Sequence, residues 1–303
     1  MRIFLFFFLC SFLGFSQSNK ANGIILDENT KAPIPYVNIS ILKSQIGTSS
    51  NEDDSFNLEI TREDLGKSIK LSSLGFKDSI IKVSNFLKLK VIYLKPKIEQ
   101  IDEIVIIEKF KEQFLIINPI RKKNIKVGFM TGKNPWKIAL FFPYKEKYES
   151  TEYLKSVKLH LNHYIFLKSH PSKFRLRLFS VDENGLPGKD LVSESIIVET
   201  KKRQKEVEID ISNHNLTFPK EGFYIAFEWL HIPFNEYEMT SSVKGKKGKH
   251  RVKKYAPTFS ATNEEKGKYK IVIFNSGLWF DVKFFKDSKN RLMIPAISLT
   301  LSN

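Results

Sequence analysis

A chain of 303 residues with 42% hydrophobic content is too apolar for wholesale disorder and long enough for two domains with separate cores. Its 49 lysines and arginines against 33 acidic residues give a formal charge of +16, which favours anionic partners and solubility without naming either. A single cysteine, Cys10, excludes an intramolecular disulfide and a thiolate metal cluster, so stability must come from packed sheets.

Met1-Arg2-Ile3 followed by the apolar run Phe4 to Phe15 predicts a secretory signal peptide over residues 1–18, with cleavage near Gln17 or Ser18. Leu9 stands before Cys10 where a lipoprotein acceptor needs a small residue, so lipidation is not expected. The expected address is the periplasm, the outer membrane or the exterior. In those compartments glycans, lipid head groups and envelope proteins are nearer partners than nucleic acid, which is not expected.

From Ala21 the chain reads as short strands with polar turns. Asp27-Glu28-Asn29-Thr30 is a turn, Pro33 and Pro35 hold the backbone extended, and Val37 to Leu42 is a strand. Asn51 to Ser55 turns into Phe56-Asn57-Leu58-Glu59-Ile60, whose apolar residues alternate. Ile69 to Ser72, Ser79 to Val83 and Val91 to Leu94 are further strands, and Leu87-Lys88-Leu89-Lys90-Val91 reads as the solvated face of a sheet.

As an ordered set, Gly23, Asp27, Thr30, Pro33, Ile34, Val37-Asn38-Ile39, Gly47-Thr48, Asn51, Asp53, Phe56, Leu58 and Leu74-Gly75-Phe76 resemble the carboxypeptidase regulatory-like domain. That family has a transthyretin-like β-sandwich, is common in exported proteins of Bacteroidetes type, and is a non-catalytic accessory despite its name. Two positions depart from its pattern: Tyr36 and Asp54 stand where glycine is frequent. In receptors carrying the domain, an acidic and aliphatic segment like Ile101 to Ile107 leads to a plug and barrel. Here too few residues follow for a receptor barrel, so the segment is read as a strand of the sandwich or a docking segment.

The expected organisation is residues 19–96 as this sandwich, 97–125 as a linker, and 126–303 as a larger jelly-roll-like sandwich, giving an all-β protein of two β-sandwich domains. Within the larger region, Phe174 to Val181 alternates strictly, with Phe174, Leu176 and Leu178 on one face and Arg175, Arg177 and Phe179 on the other.

Candidate chemistry is sparse. Asp182-Glu183-Asn184-Gly185, like Asp53-Asp54, is better explained as a turn than as a calcium loop. His160 and His163 sit three apart on a strand, hence on opposite faces, and do not predict a shared metal. No nucleophile elbow is present, and no cofactor is expected. Glu228 beside Trp229 is the carboxylate nearest an aromatic platform, read as an outward strand residue. Trp136 and Trp229 are the candidate sugar-stacking residues; tryptophans of a jelly roll are mostly core, and Trp136, after Gly132-Lys133-Asn134-Pro135, is the better placed of the two for an exposed loop. Lys246, Lys247 and Arg251, in the basic run 244–254, are candidates for anionic polysaccharide or lipid head groups; that run is expected to be a long mobile insertion. The functional expectation is a non-catalytic binding or scaffolding module for glycans or envelope proteins, with a glycan or peptide hydrolase as the alternative.

Overall fold

A computed structural model describes residues 19–97, 113–132, 136–162, 171–242, 247–263, 268–282 and 285–303. Residues 1–18, expected to be a signal peptide, the segment 101–107, His163 and Lys246 lie outside the described residues.

The first sandwich holds β1 (Asn19–Asp27), β2 (Asn38–Ile41), β3 (Gly47–Ser49), β4 (Ser55–Ile60), β5 (Ser68–Ser72), β6 (Ser79–Lys82) and β7 (Val91–Leu94). One sheet runs β4-β1-β7 and the other β3-β2-β5-β6. Alternate residues point inward, so Ile25, Phe56, Leu58, Ile60 and Ile92 of one sheet meet Ile39, Ile41, Ile69 and Leu71 of the other in one buried cluster. Gly23 is required for closure: a Cβ there would lie 2.5 Å from the Lys90 carbonyl oxygen. The stretch expected as an alternating strand at Leu87 to Val91 is instead the exit of a helical turn, Val83–Phe86, with backbone N–H of Lys88 bonding back to Asn85. Only Val91 enters a strand, because Val83 and Phe86 are both drawn into the core by helical spacing.

The second sandwich comprises β8 (Phe114–Ile117), β9 (Lys126–Thr131), β10 (Lys137–Phe142), β11 (Tyr153–His160), β12 (Ser172–Val181), β13 (Pro187–Asp190), β14 (Ile196–Thr200), β15 (Glu206–Asp210), β16 (Phe223–Trp229), β17 (Glu236–Ser242), β18 (Lys249–Asn263), β19 (Ile271–Asn275), β20 (Leu278–Asp281), β21 (Met293–Pro295) and β22 (Ile297–Ser302). A seven-stranded sheet, β13-β12-β16-β10-β19-β20 with β14 on β12, faces a four-stranded sheet, β15-β11-β22-β8. Phe174, Leu176, Leu178, Ile225 and Phe227 from the first pack with Val157, Leu159, Leu299 and Leu301 from the second. A third sheet, β17-β18-β21 with β9 on β18, closes one end.

Two expectations are corrected here. β8 falls within the expected linker 97–125, yet it pairs with β22, Ile117 opposite Leu299, and so belongs to the second sandwich. The basic run 244–254 is not a mobile insertion among its described residues: Lys249 to Lys254 form the start of β18, paired in register with β17, Arg251 opposite Thr240 and Lys253 opposite Glu238. Cross-strand carboxylates make that pairing favourable, with Lys253 2.8 Å from Glu236 and Arg251 3.8 Å from Glu238.

Both departures from the family pattern retain the backbone that glycine would give. Tyr36 has φ 58° and Asp54 φ 64°, the left-handed region that side chains usually avoid. At Tyr36 the strained residue gains a use: its ring packs against Leu230 and Ile232 of the second sandwich.

Candidate functional site

The register of three neighbouring strands creates the most unusual feature of the molecule. Lys137 on β10 lies directly opposite Glu228 on β16, and Glu228 lies directly opposite Arg175 on β12. These residues point away from the main core of the second sandwich, and the first sandwich covers them. Glu228 is 1% exposed and Arg175 2%. The Glu228 carboxylate is 3.1 Å from Arg175, 3.5 Å from Lys137 and 3.7 Å from Arg177, and it accepts a hydrogen bond of 3.1 Å from Asn38 on β2. Arg177 also pairs with Asp190, while Arg175 donates to the Tyr36 carbonyl at 2.7 Å and to Ser195. The two sandwiches are therefore joined by a buried layer of three cations and two carboxylates.

Burial alone would raise the Glu228 carboxyl, but Lys137, Arg175 and Arg177 outweigh it and hold it down to about 2. Burial pushes the Lys137 ammonium down to about 8 against the pull of Glu228, so both are charged at neutral pH. Glu228 points away from the core that buries Trp229, as its place beside Trp229 on a strand predicts, and the first sandwich covers the face it occupies.

Beside this layer the two sandwiches leave a cleft of about 450 Å³. Thr48, Asn51, Asn57, Glu59 and Thr61 come from the first sandwich; His231, Glu236, Lys253 and Tyr255 come from the second. Strand β3 fixes His231 from its backbone, since Thr48 Oγ1 donates to the His231 carbonyl and the His231 N–H donates to Ser49 Oγ, both at 3.1 Å. The imidazole stacks on the Tyr255 ring, centroids 4.1 Å apart and 17° between planes. Its Nε2 is 3.3 Å from Thr131 Oγ1, while Nδ1 is buried with no hydrogen-bond partner among the described residues. Burial pushes this histidine down to about 3, so it is neutral. Burial and the Glu236 carboxylate push the Tyr255 phenol up to about 12. The cleft thus offers an aromatic ring, amides, hydroxyls, two carboxylates and an ammonium.

The residues expected to bind ligand are placed elsewhere. Trp229 is fully buried, with its indole N–H donating to the Pro257 carbonyl at 2.7 Å, so it presents no face to solvent. Trp136 is half-buried and stacked on Trp229 at 4.8 Å and 18°; its place is over the core and not on an open loop. Lys247 and Arg251 are exposed on the β17–β18 hairpin, Arg251 beside Glu238. None of these residues lines the cleft. His160 is buried on β11 next to Glu206, and Asp182 is a turn residue whose Oδ1 accepts from the N–H groups of Asn184 and Leu186. Asp53 acts likewise toward Ser55. The cleft residues escaped sequence reading because they are ordinary polar positions near strand ends, brought together across more than half the chain; the alternating exposure of Asn57 and Glu59 on β4 was the one available signal.

Residues 21–106 match the family model of the CarboxypepD_reg-like domain. No curated protein matches the chain. Among solved structures, the chain is similar to the structure of infectious bursal disease virus Gx strain, at 9% identity and a TM-score of 0.22, covering 94% of this chain and 59% of that one. A second is the VP2 subviral particle of infectious bursal disease virus, at 6% identity and a TM-score of 0.18, covering 95% and 65%. The chain spans about three fifths of the length of those viral chains, and nothing about its fold or function rests on them. The N-terminal part of the chain, residues 21–106, is a CarboxypepD_reg-like domain.

Proposed function

We propose that this chain is an exported, non-catalytic cell-envelope protein that binds glycan in the cleft between its two sandwiches. The observation that carries the reading is the composition of that cleft: an aromatic ring at Tyr255 among hydrogen-bonding side chains contributed by both sandwiches. Aromatic faces suit the apolar faces of pyranose rings, and amides and hydroxyls suit their hydroxyl groups. The basic start Met1-Arg2-Ile3 and the apolar run Phe4 to Phe15 support export, to the periplasm, the outer membrane or the exterior.

The test is a glycan array probed with the purified chain from Asn19 onward. Binding to a defined glycan set is expected, weakened by Asn57→Ala at an exposed cleft residue, with the variant's thermal midpoint measured to show that the fold is retained. No binding to any glycan would refute the reading. N-terminal sequencing of the protein from cell fractions should begin near Gln17 or Ser18.

One observation favours the hydrolase alternative: Glu59 and Glu236 enter the same cleft from different sandwiches. Glu236, however, is already engaged in an ion pair with Lys253 at 2.8 Å. Release of shortened glycans or peptides by the wild-type chain, abolished in both Glu59→Gln and Glu236→Gln, would support the enzyme over the binding module.

A further inference from the structure

Two further depressions lie side by side on the second sandwich, about 140 and 310 Å³ in volume, sharing Asn118, Pro119, Lys268 and Tyr269. Lys145, Lys147 and Lys268 line the first; Arg121 and Lys268 line the second. Among the described residues no carboxylate lines either one. Arg121, Lys145 and Lys147 enter no ion pair among the described residues, and Lys122 and Lys123 follow Arg121 in an exposed turn. Cations gathered in a concave surface concentrate anions there.

The same region exposes apolar side chains. Phe114 is 52% and Ile116 56% exposed, two residues apart on β8 and therefore on one face of the strand. Ile116 lines the first depression together with Lys145 and Lys147. Lys155 Nζ lies 4.2 Å from the centre of the Phe114 ring, so cationic and apolar groups alternate across the edge. Among the described residues β8 ends its sheet, with β22 on one side only.

We propose that this face docks on an anionic lipid surface, with Arg121, Lys145 and Lys147 on the head-group phosphates and Phe114 and Ile116 at the boundary with the acyl chains. A soluble polyanion would satisfy the cations but leave the two apolar side chains in water; a lipid surface satisfies both. None of these residues lines the cleft between the sandwiches, so this inference stands or falls separately from glycan binding.

The test is co-sedimentation of the purified chain with vesicles of phosphatidylcholine alone and of phosphatidylcholine mixed with phosphatidylglycerol. Binding is expected only to the mixed vesicles and should weaken with salt. Each neutralised cation should lower the partition coefficient about fivefold, so the triple variant Arg121→Ala, Lys145→Ala, Lys147→Ala loses about a hundredfold. The pair Phe114→Ser, Ile116→Ser should also weaken binding, with the thermal midpoint of each variant measured to show that the fold is retained. Equal binding to both vesicle types, or full binding by the triple variant, would overturn the proposal. So would retention on dextran sulfate that depends on the three cations while no vesicle is bound, since that outcome assigns the face to a soluble polyanion.

Discussion

Replacing Glu228 by glutamine tests the buried ionic layer at its centre. The substitution keeps volume and hydrogen-bonding capacity but leaves Lys137, Arg175 and Arg177 facing Asp190 alone, three cations against one carboxylate, in a region where Glu228 and Arg175 are no more than 2% exposed. Removing one partner of a buried charge pair costs about 3–5 kcal/mol, because the remaining charge is desolvated without compensation. In a protein of this size that corresponds to a fall in thermal midpoint on the order of 10 °C. Denaturant unfolding followed by tryptophan fluorescence is a suitable assay, since Trp229 adjoins Glu228 and stacks on Trp136. Adding Lys137→Met to Glu228→Gln removes one excess cation and should recover part of the loss. A loss below about 1 kcal/mol for Glu228→Gln, or a double variant no more stable than the single one, would show that the layer is hydrated or rearranged and refute the argument.

Two more outcomes follow from the same structure. The neutral, buried His231 and the ionised Glu228 both bind fewer protons folded than unfolded, so stability should be flat near neutral pH. It should fall from pH 6.5 toward 3 through His231 and from pH 4.5 toward 2 through Glu228. Lys137, lowered to about 8 by burial, acts in the same sense on the alkaline side, adding stability as pH rises from 8 to 10.5. Thermal midpoints across pH check both windows, and His231→Gln should flatten the segment between pH 6.5 and 4.5. Asp54→Gly should stabilise the chain by about 1 kcal/mol, because it relieves a left-handed residue and removes a buried carboxyl raised by burial and by Asp53; a destabilised variant in denaturant unfolding would refute that.

Alternation in the sequence shows which side chains share a face but not what covers that face. Phe174 to Val181 divided as its pattern says, with Phe174, Leu176 and Leu178 in the main core. Arg175 and Arg177 fall on the other side, and only the docking of a domain some 140 residues earlier in the chain makes that side an interior. The basic hairpin was hidden by composition: lysines crowd Lys249 to Lys254, while the partners that make the run a strand, Glu236 and Glu238, lie before it. Most strands of the first sandwich were legible because its turns use Asp, Asn and Pro chemistry, whereas Tyr36 and Asp54 show that a glycine conformation can persist without glycine.

The charged character of the seam between the sandwiches also bears on how the chain is made. Strands β1 to β7 are complete before β10, β12 and β16 leave the ribosome, so the docking surface around Asn38 and Tyr36 must wait for its partner. An apolar surface held open over that interval would invite association with other chains. Apart from the Tyr36 ring, which later packs on Leu230 and Ile232, the surface around Asn38 meets its partner through polar groups and stays wetted until then, so its desolvation is deferred to the moment both halves are present.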